Sequence, residues 1–376
     1  MSFLHHLISR PLNTPSRKVR TLLQTLARGN DEMKSINARN VSEALYLGLQ
    51  YLEEEGSWIE SRSGRVIEAP CPVMSVYKKP EERVLFYRER DANPFFHLFE
   101  SFWMLDGRND VEYVSKFNAR MRSFSDDGKV LHGAYGHRWR EYFARDQLNL
   151  IVEHLRKDPT SRRAVLQMWA AEDLQKATDS PDCKDVPCNT QVFFKIKNDK
   201  LQMTVSCRSN DIIWGTYGAN AVHFSILQEY IAAKIGVPMG TYYHLSDSYH
   251  AYEDVFQKTY DALKNPKKVI GKDILWYDSY LGLNKGMHYT PAPIFTEPEH
   301  ADRDLGMFID SPMRHAYKNS FFEETAIPML LAWEYYKTKS YKESLKMANR
   351  IESLDWKKAS IEWLERRRKK WQSKKK

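Results

Sequence analysis

Apolar residues recur at helical spacing over several stretches of the chain. Ala44, Leu45, Leu47, Leu49, Tyr51 and Leu52 predict a helix over Val41–Glu55 that Gly56 stops. Phe95, Leu98, Phe99, Phe102, Trp103 and Leu105 predict a second over Pro94–Leu105, with Gly107 as its stop. Residues 149–156 read as an amphipathic helix, and Asp158-Pro159-Thr160-Ser161 turns the chain. The pattern then changes to sheet. Residues 164–169 are β-prone, and 191–196 and 201–207 read as two strands joined through Lys197-Asn198-Asp199-Lys200 as a hairpin. A long, mostly apolar helix follows over 221–235, then a β-prone stretch over 240–244. Pro291, Pro293 and Pro298 punctuate a loop-rich region, and 323–371 is helical again. The mixture predicts an α/β (α+β) body.

Composition adds bounds. With 42% hydrophobic and 28% charged residues the chain can bury a core, so wholesale disorder is not expected. The length suits one large domain with additions, or two domains. No stretch of about eighteen apolar residues is present, so no membrane span is expected. Cys71, Cys183, Cys188 and Cys207 are too few and scattered for a disulfide scaffold, and a reducing, intracellular (cytoplasmic) setting fits better.

The net charge of +8 is local. Eight of the fifty-seven cations lie in residues 366–376, which hold no acid, and the other forty-nine balance the forty-nine acids. The body therefore gives no global signal for nucleic acid, and the tail reads as a solvated helix end. The first thirty residues are basic and weakly resemble a transit peptide, but Pro11 and Pro15 interrupt any long amphipathic helix. A basic arm with a short helix over 16–28, stopped at Gly29-Asn30, is the preferred reading.

No GxxxxGK[ST], GxSxG, HExxH or GxGxxG occurs, which argues against P-loop, lipase-like, zincin and dinucleotide-binding readings. Cys183 and Cys188 find no second Cys or His pair to complete a zinc site, and no metal is expected. Cys188 stands out instead. It directly precedes one strand of the expected hairpin, and Arg208 directly follows the other, so the two fall near one end of the sheet. A cation there favours a thiolate.

In order along the chain, further segments join this pair. They are Ser61-Arg62-Ser63-Gly64; Glu100, Trp103, Leu105 and Gly107; Gly133-Ala134-Tyr135-Gly136 with Trp139-Arg140; and Asp158-Pro159-Thr160-Ser161-Arg162-Arg163. Pro187-Cys188, Arg208-Ser209-Asn210-Asp211, Asn220 before the apolar helix, and His250 with Tyr252 complete the series. Together they resemble the DRTG, ExxWxLxG, VYGxxWR, DPxSRR, PC, RSxD, Asn and HxY segments of the thymidylate synthase and pyrimidine-nucleotide hydroxymethylase family.

The resemblance implies a large mixed β-sheet flanked by helices, and a homodimer whose active site is shared between subunits. It divides the chain into a basic arm (1–40), a catalytic domain (41–265) and a loop-rich, helical extension with a basic tail (266–376). It implies methylenetetrahydrofolate as co-substrate and a thiol, Cys188, that adds to C6 of a pyrimidine so that C5 becomes the nucleophile. Arg208, Arg62 and Ser209 would hold the phosphate, with Arg162 and Arg163 reaching it across the dimer. Asn220 would read the base; an amide donates to O4 and accepts from N3–H of uracil, whereas Asp would suit cytosine. The interval from Asp211 to Asn220 is one residue longer than the family's, near Gly215-Thr216-Tyr217-Gly218. His250 and Tyr252 would bind the 3′ hydroxyl, implying a deoxynucleotide. Glu100 and Tyr135 would handle protons, and Asp211, with Glu100 and Gly215, would face the folate.

The outcome at C5 stays open among methyl and hydroxymethyl products. Before the Tyr135 segment the family's synthases carry two tryptophans, where this chain has Arg120-Met121-Arg122-Ser123-Phe124. They place His after the nucleophile, where this chain has Asn189, and end in a short apolar tail, where this one runs on to lysines. A thinner screen admits water, so a deoxyuridylate hydroxymethylase is the preferred reading. Thymidylate synthase, dCMP hydroxymethylase and a non-catalytic nucleotide- or nucleic-acid-binding member are the alternatives. The preferred reading suggests a virus that modifies its DNA.

Overall fold

In the computed structural model, residues 32–264, 280 and 290–373 are described. The chain divides into two compact units, Met1–Met33 and Lys34–Lys376, and the second carries everything below. The helix expected over 16–28 lies outside the described residues.

An eight-stranded mixed sheet organises the second unit. Its strands are β1 (Lys34–Ala38), β2 (Ser57–Ser61), β3 (Gly64–Glu68), β4 (Val73–Tyr77), β5 (Val165–Gln167), β6 (Asn189–Lys197), β7 (Lys200–Asp211) and β8 (Met239–Tyr252). The order is β1-β4-β8-β7-β6-β5, with β3 added to the end of β8 and β2 to β3. β1 runs parallel to β4 and β7 parallel to β8, and the other pairs are antiparallel. The expected hairpin is β6–β7. Asn198 and Asp199 at its turn both have positive φ (52° and 56°), which Asn and Asp tolerate best and which the twist of a tight hairpin requires.

The helices near the site are α1 (Val41–Glu55), α2 (Pro94–Leu105), α3 (Val111–Ser115), α4 (Tyr135–Arg140), α5 (Gln147–Lys157), α6 (Ala171–Asp179), α7 (Asn220–Ile235) and α8 (Glu253–Lys264). Among the described residues, four more, α9 (Ala301–Asp310), α10 (Ile327–Lys337), α11 (Tyr341–Ala348) and α12 (Leu354–Ser373), belong to the C-terminal part. Pro94 sits in the first turn of α2, and the Asn93 side chain accepts from Phe96 N, which caps the helix. Every residue of α2 is buried. A helix buried all round, with only His97, Glu100 and Ser101 polar, needs cover on all sides. α7 supplies one side and the C-terminal helices another. Phe95 packs against Trp333 and Trp363, Phe99 against Phe308, and Phe102 against Phe322, with ring centroids 5.1–5.7 Å apart. Burying each such ring stabilises by about 2–3 kcal/mol relative to exposure.

The eight tail cations are not all solvated. Arg366 Nε lies 3.0 Å and Arg367 Nη2 2.8 Å from the Asp91 carboxylate, and Arg367 also stacks on Trp363 at 4.2 Å. Two of the eight thus pin α12 to the loop before α2. No helix among the described residues is long and apolar enough to cross a membrane.

Candidate active site

Because β7 and β8 are parallel and β6 is antiparallel to them, the start of β6 and the ends of β7 and β8 meet at one edge of the sheet. Cys188 stands just before β6 at that edge. Arg208 on β7 donates its backbone N–H to Cys188 O at 2.9 Å, and its Nη2 lies 3.9 Å from Cys188 Sγ. The guanidinium is held by Pro187 O and Val186 O (3.1 and 3.2 Å) and lies 5.5 Å from the Trp169 ring. Burial pushes the Cys188 thiol up, while Arg208 and then Arg62 pull it down, and burial wins. The expected cation is therefore in place, but the thiol remains above its ordinary value without a bound substrate.

The loop before Cys188 is tied down from two sides. Arg62, at the tip of the β2–β3 hairpin, donates to Pro181 O and Cys183 O at 3.2 and 2.9 Å. Asp185 accepts from the backbone N–H groups of His132 and Gly133, just ahead of Tyr135. Tyr135 opens α4, and its hydroxyl accepts from Asn189 N–H at 3.3 Å, one residue past the nucleophile. Burial, and next the neighbouring Cys188, raise the Tyr135 phenol well above its ordinary value. Between Asn189 and Gln191 the β6–β7 register slips, a bulge of the kind that re-aims side chains beside active sites.

A buried polar chain runs from this point to Asn220. Asn189 Oδ1 and Asn210 Nδ2 both lie 3.1 Å from His244 Nε2, and His244 Nδ1 lies 2.7 Å from the Tyr242 hydroxyl. Asn210 Nδ2 also reaches Ser246 Oγ at 2.9 Å, and its Oδ1 accepts from Asn220 Nδ2 at 3.2 Å. With its proton on Nε2, His244 donates to Asn189; with the proton on Nδ1, it accepts from Asn210. Burial lowers its pKa to about 3, so the ring is neutral in either case.

The extra residue before Asn220 has a structural outlet. Ile212–Ala219 forms a π-helical segment, kinked at Tyr217 and Gly218, and a π-turn takes up one residue more than an α-turn. Asn220 therefore still reaches Asn210. Gly215 makes the approach possible: a Cβ there would stand 2.6 Å from Asn210 Oδ1 and 3.1 Å from Asn220 Nδ2. Gly215, expected to face the co-substrate, thus stands against the Asn210 and Asn220 amides.

Asp211 caps the π-segment, its Oδ1 accepting from Ile213 N and Trp214 N at 2.8 and 3.2 Å. Burial pushes its carboxyl up, against those two hydrogen bonds. One oxygen of this group is therefore already engaged. Trp214 is 43% exposed beside it, with Arg90 4.4 Å and Arg120 5.4 Å from its ring. His250 is paired with Asp211 in the β7–β8 register and bonds Ser248 Oγ at 3.0 Å, and Tyr252 lies on the same strand with its ring 5.8 Å away. Ser209 is opposite Ser248, and its carbonyl accepts from Cys207 Sγ at 3.2 Å. Glu100 projects from α2 towards α7, where its Oε2 lies 3.0 Å from His223 Nε2.

Arg162 and Arg163 are not brought to this cluster within the chain. Both are exposed on the turn before β5. Val165 pairs with Phe193, so Arg163 falls at the far end of β6 from Cys188, about seven residues or roughly 20 Å along the strand. The spacing of segments also did not point to His223, His244, Trp169 or Trp214. The one available signal was His223 at i+3 from Asn220, which places both on one helix face.

Comparison with known proteins matches the sequence to one family. The family model described as thymidylate synthase matches residues 55–274. The chain is 47% identical over 347 residues to the deoxyuridylate hydroxymethyltransferase of Pseudomonas phage M6, covering 89% of this chain and 95% of that protein. It is 36% identical over 256 residues to the protein of the same name from Bacillus phage SP01, covering 63% of this chain and 65% of that one. A putative thymidylate synthase of Methanococcoides burtonii is 29% identical, over 61% of this chain and 94% of its own length. With a thiol under an arginine at the sheet edge, an amide at the end of a buried polar chain and this degree of likeness, the chain belongs to the thymidylate synthase family of one-carbon transferases.

Proposed function

We propose that the chain is a deoxyuridylate hydroxymethyltransferase that uses methylenetetrahydrofolate and water. The observation that carries the substrate choice is the amide chain ending at Asn220. A group that both donates and accepts matches O4 and N3–H of uracil, and the buried link to Asn210 holds it in place. The relatives named deoxyuridylate hydroxymethyltransferase support the choice of product.

Cys188 Sγ adds to C6 as its proton leaves, and the ring electrons make C5 the nucleophile towards the folate methylene. Arg208 and Arg62 bind the phosphate from this chain, with Ser209 beside them, and His250 and Tyr252 hold the 3′ hydroxyl. Tyr135, held by Asn189 N–H beside Cys188 and neutral, helps remove the C5 proton by orienting the water that takes it. The C–H electrons form the exocyclic double bond, the methylene–N5 bond breaks, and tetrahydrofolate leaves with the protons given up by Cys188 and C5. Asp211 and Trp214 face the folate. The half-exposed Trp214, flanked by Arg90 and Arg120, suits a flat ring with an anionic tail. Water then adds to the exocyclic methylene, and Cys188 leaves from C6.

Arg162 and Arg163 serve the site of a second copy. The far-end position of Arg163 supports this, as do Val165 and Phe193, which are 40% and 39% exposed on an uncovered sheet face. The phage origin of the relatives supports action in the cytoplasm of an infected host.

Incubating the purified protein with deoxyuridylate or deoxycytidylate and methylenetetrahydrofolate, and identifying the nucleotide by mass, tests the proposal. Hydroxymethylated deoxyuridylate with tetrahydrofolate is expected. A methylated product with dihydrofolate, or turnover of deoxycytidylate alone, would overturn it.

A further inference from the structure

The hydroxymethyl reading needs a group that takes a proton from water at one step only, after the methylene has reached C5. We propose that His223 is the positioning residue for that step, acting through Glu100. The inference rests on the reading of the preceding subsection.

The pair is unusual among the buried groups. Glu100 Oε2 and His223 Nε2 lie 3.0 Å apart, with side chains 10% and 4% exposed, and neither atom has a hydrogen-bond partner outside the pair. A buried carboxylate beside a buried imidazole can pass a proton between them, which a carboxylate alone cannot do. The pair lies beside Asn220, the proposed reader of the base. His223 is one turn along α7 from Asn220, and Glu100 stands opposite on α2. His97, one turn before Glu100, closes the pair off with its ring 6.5 Å from that of His223. Burial and Arg90 keep His97 neutral, so it adds no competing charge.

The water oxygen bonds to the exocyclic carbon, and the electrons of the C5 methylene double bond move through C4 to O4. One water proton goes to Glu100 and is shared with His223; the other stays on the new hydroxyl. The enolate then re-forms the ring double bond and expels the Cys188 thiolate, which recovers the proton. Nothing is oxidised or reduced.

Glu100 can serve earlier proton transfers without His223, whereas the proposal needs His223 at hydration alone, so loss of His223 has a distinctive signature. The test uses His223→Asn and His223→Gln in the full chain, with deoxyuridylate tritiated at C5, methylenetetrahydrofolate and added 2-mercaptoethanol. Tritium release reports arrival at the methylene intermediate, and hydroxymethyl product reports its hydration. Their ratio within one preparation does not depend on how much protein is folded. The unaltered protein should release one tritium per hydroxymethyl product. In both variants tritium release should exceed product by roughly tenfold or more, less than the full contribution of a proton-transfer group because Glu100 itself remains. The stranded methylene should appear as a thioether with the added thiol. Equal falls in both measures without thioether, or no change in either, would overturn the proposal. Thymidylate and dihydrofolate from the unaltered protein would instead overturn the hydroxymethyltransferase reading, so the two failures are distinguishable.

Discussion

Asn220 reaches Asn210 across a π-helical detour: its Nδ2 donates to Asn210 Oδ1 at 3.2 Å, over the bare Cα of Gly215. Through His244 and Asn189, Asn220, the proposed reader of the base, is linked to the neighbour of Cys188, the proposed nucleophile. Selection of the base and placement of the thiol are therefore one packing problem.

Asn220→Asp should invert base preference. A carboxylate accepts from the amine of cytosine but leaves uracil O4 without its donor. The kcat/KM for deoxyuridylate is expected to fall roughly tenfold to a hundredfold, the usual effect of one unpaired buried polar group, while that for deoxycytidylate rises. Parallel losses on both nucleotides would speak against the assignment.

Gly215→Ala places a methyl where Asn210 and Asn220 meet. Overpacking of this kind costs about 1–3 kcal/mol, which urea denaturation reads directly. The same variant should lose activity on deoxyuridylate, because separation of the two amides frees Asn220 to rotate.

Arg208 lowers the Cys188 thiol against the opposing effect of burial. Arg208→Gln removes the cation, so the thiol pKa rises further and the thiolate fraction at any given pH falls. The pH profile of Cys188 alkylation by iodoacetamide, followed by peptide mass, should move to the alkaline side. An unchanged profile would show that Arg208 does not act on the sulfur.

Arg163 and Cys188 belong, in this account, to sites on different copies. Mixing Arg163→Ala protein with Cys188→Ala protein and allowing exchange should restore part of the activity that neither has alone. One site of the hybrid then has every group. No recovery after demonstrated exchange would contradict sharing.

The C-terminal helices are part of the core that holds α2, and so of the support for Glu100. Trp363→Ala should destabilise the protein by about 3–5 kcal/mol, as for other buried large-to-small changes. Asp91→Asn, which breaks only the half-exposed pairing with Arg366 and Arg367, should cost about 1 kcal/mol or less. Thermal unfolding of the two variants side by side separates these contributions.

The sequence was informative where local chemistry dictates structure. Asn198-Asp199 marked the hairpin because few other residues accept two successive positive φ values. Gly56 and the apolar period marked the bounds of α1, and six apolar residues at helical spacing marked α2. β8 was legible only at residues 240–244, although it runs over Met239–Tyr252. Its second half carries Ser246, Asp247, Ser248 and His250, polar residues that disrupt the apolar alternation. β2 gave no signal because all its residues are exposed. The residues around Cys188 were legible as ordered segments, whereas the pairs Glu100–His223 and Asn189–His244 bring together positions 123 and 55 residues apart, which no periodicity records.

The central claim is that water, not hydride, completes the reaction at C5. Running the reaction in water enriched in heavy oxygen and weighing the nucleotide tests it most directly. The account predicts deoxyuridylate bearing a hydroxymethyl group labelled with heavy oxygen, with tetrahydrofolate returned. An unlabelled methyl group accompanied by dihydrofolate would contradict it.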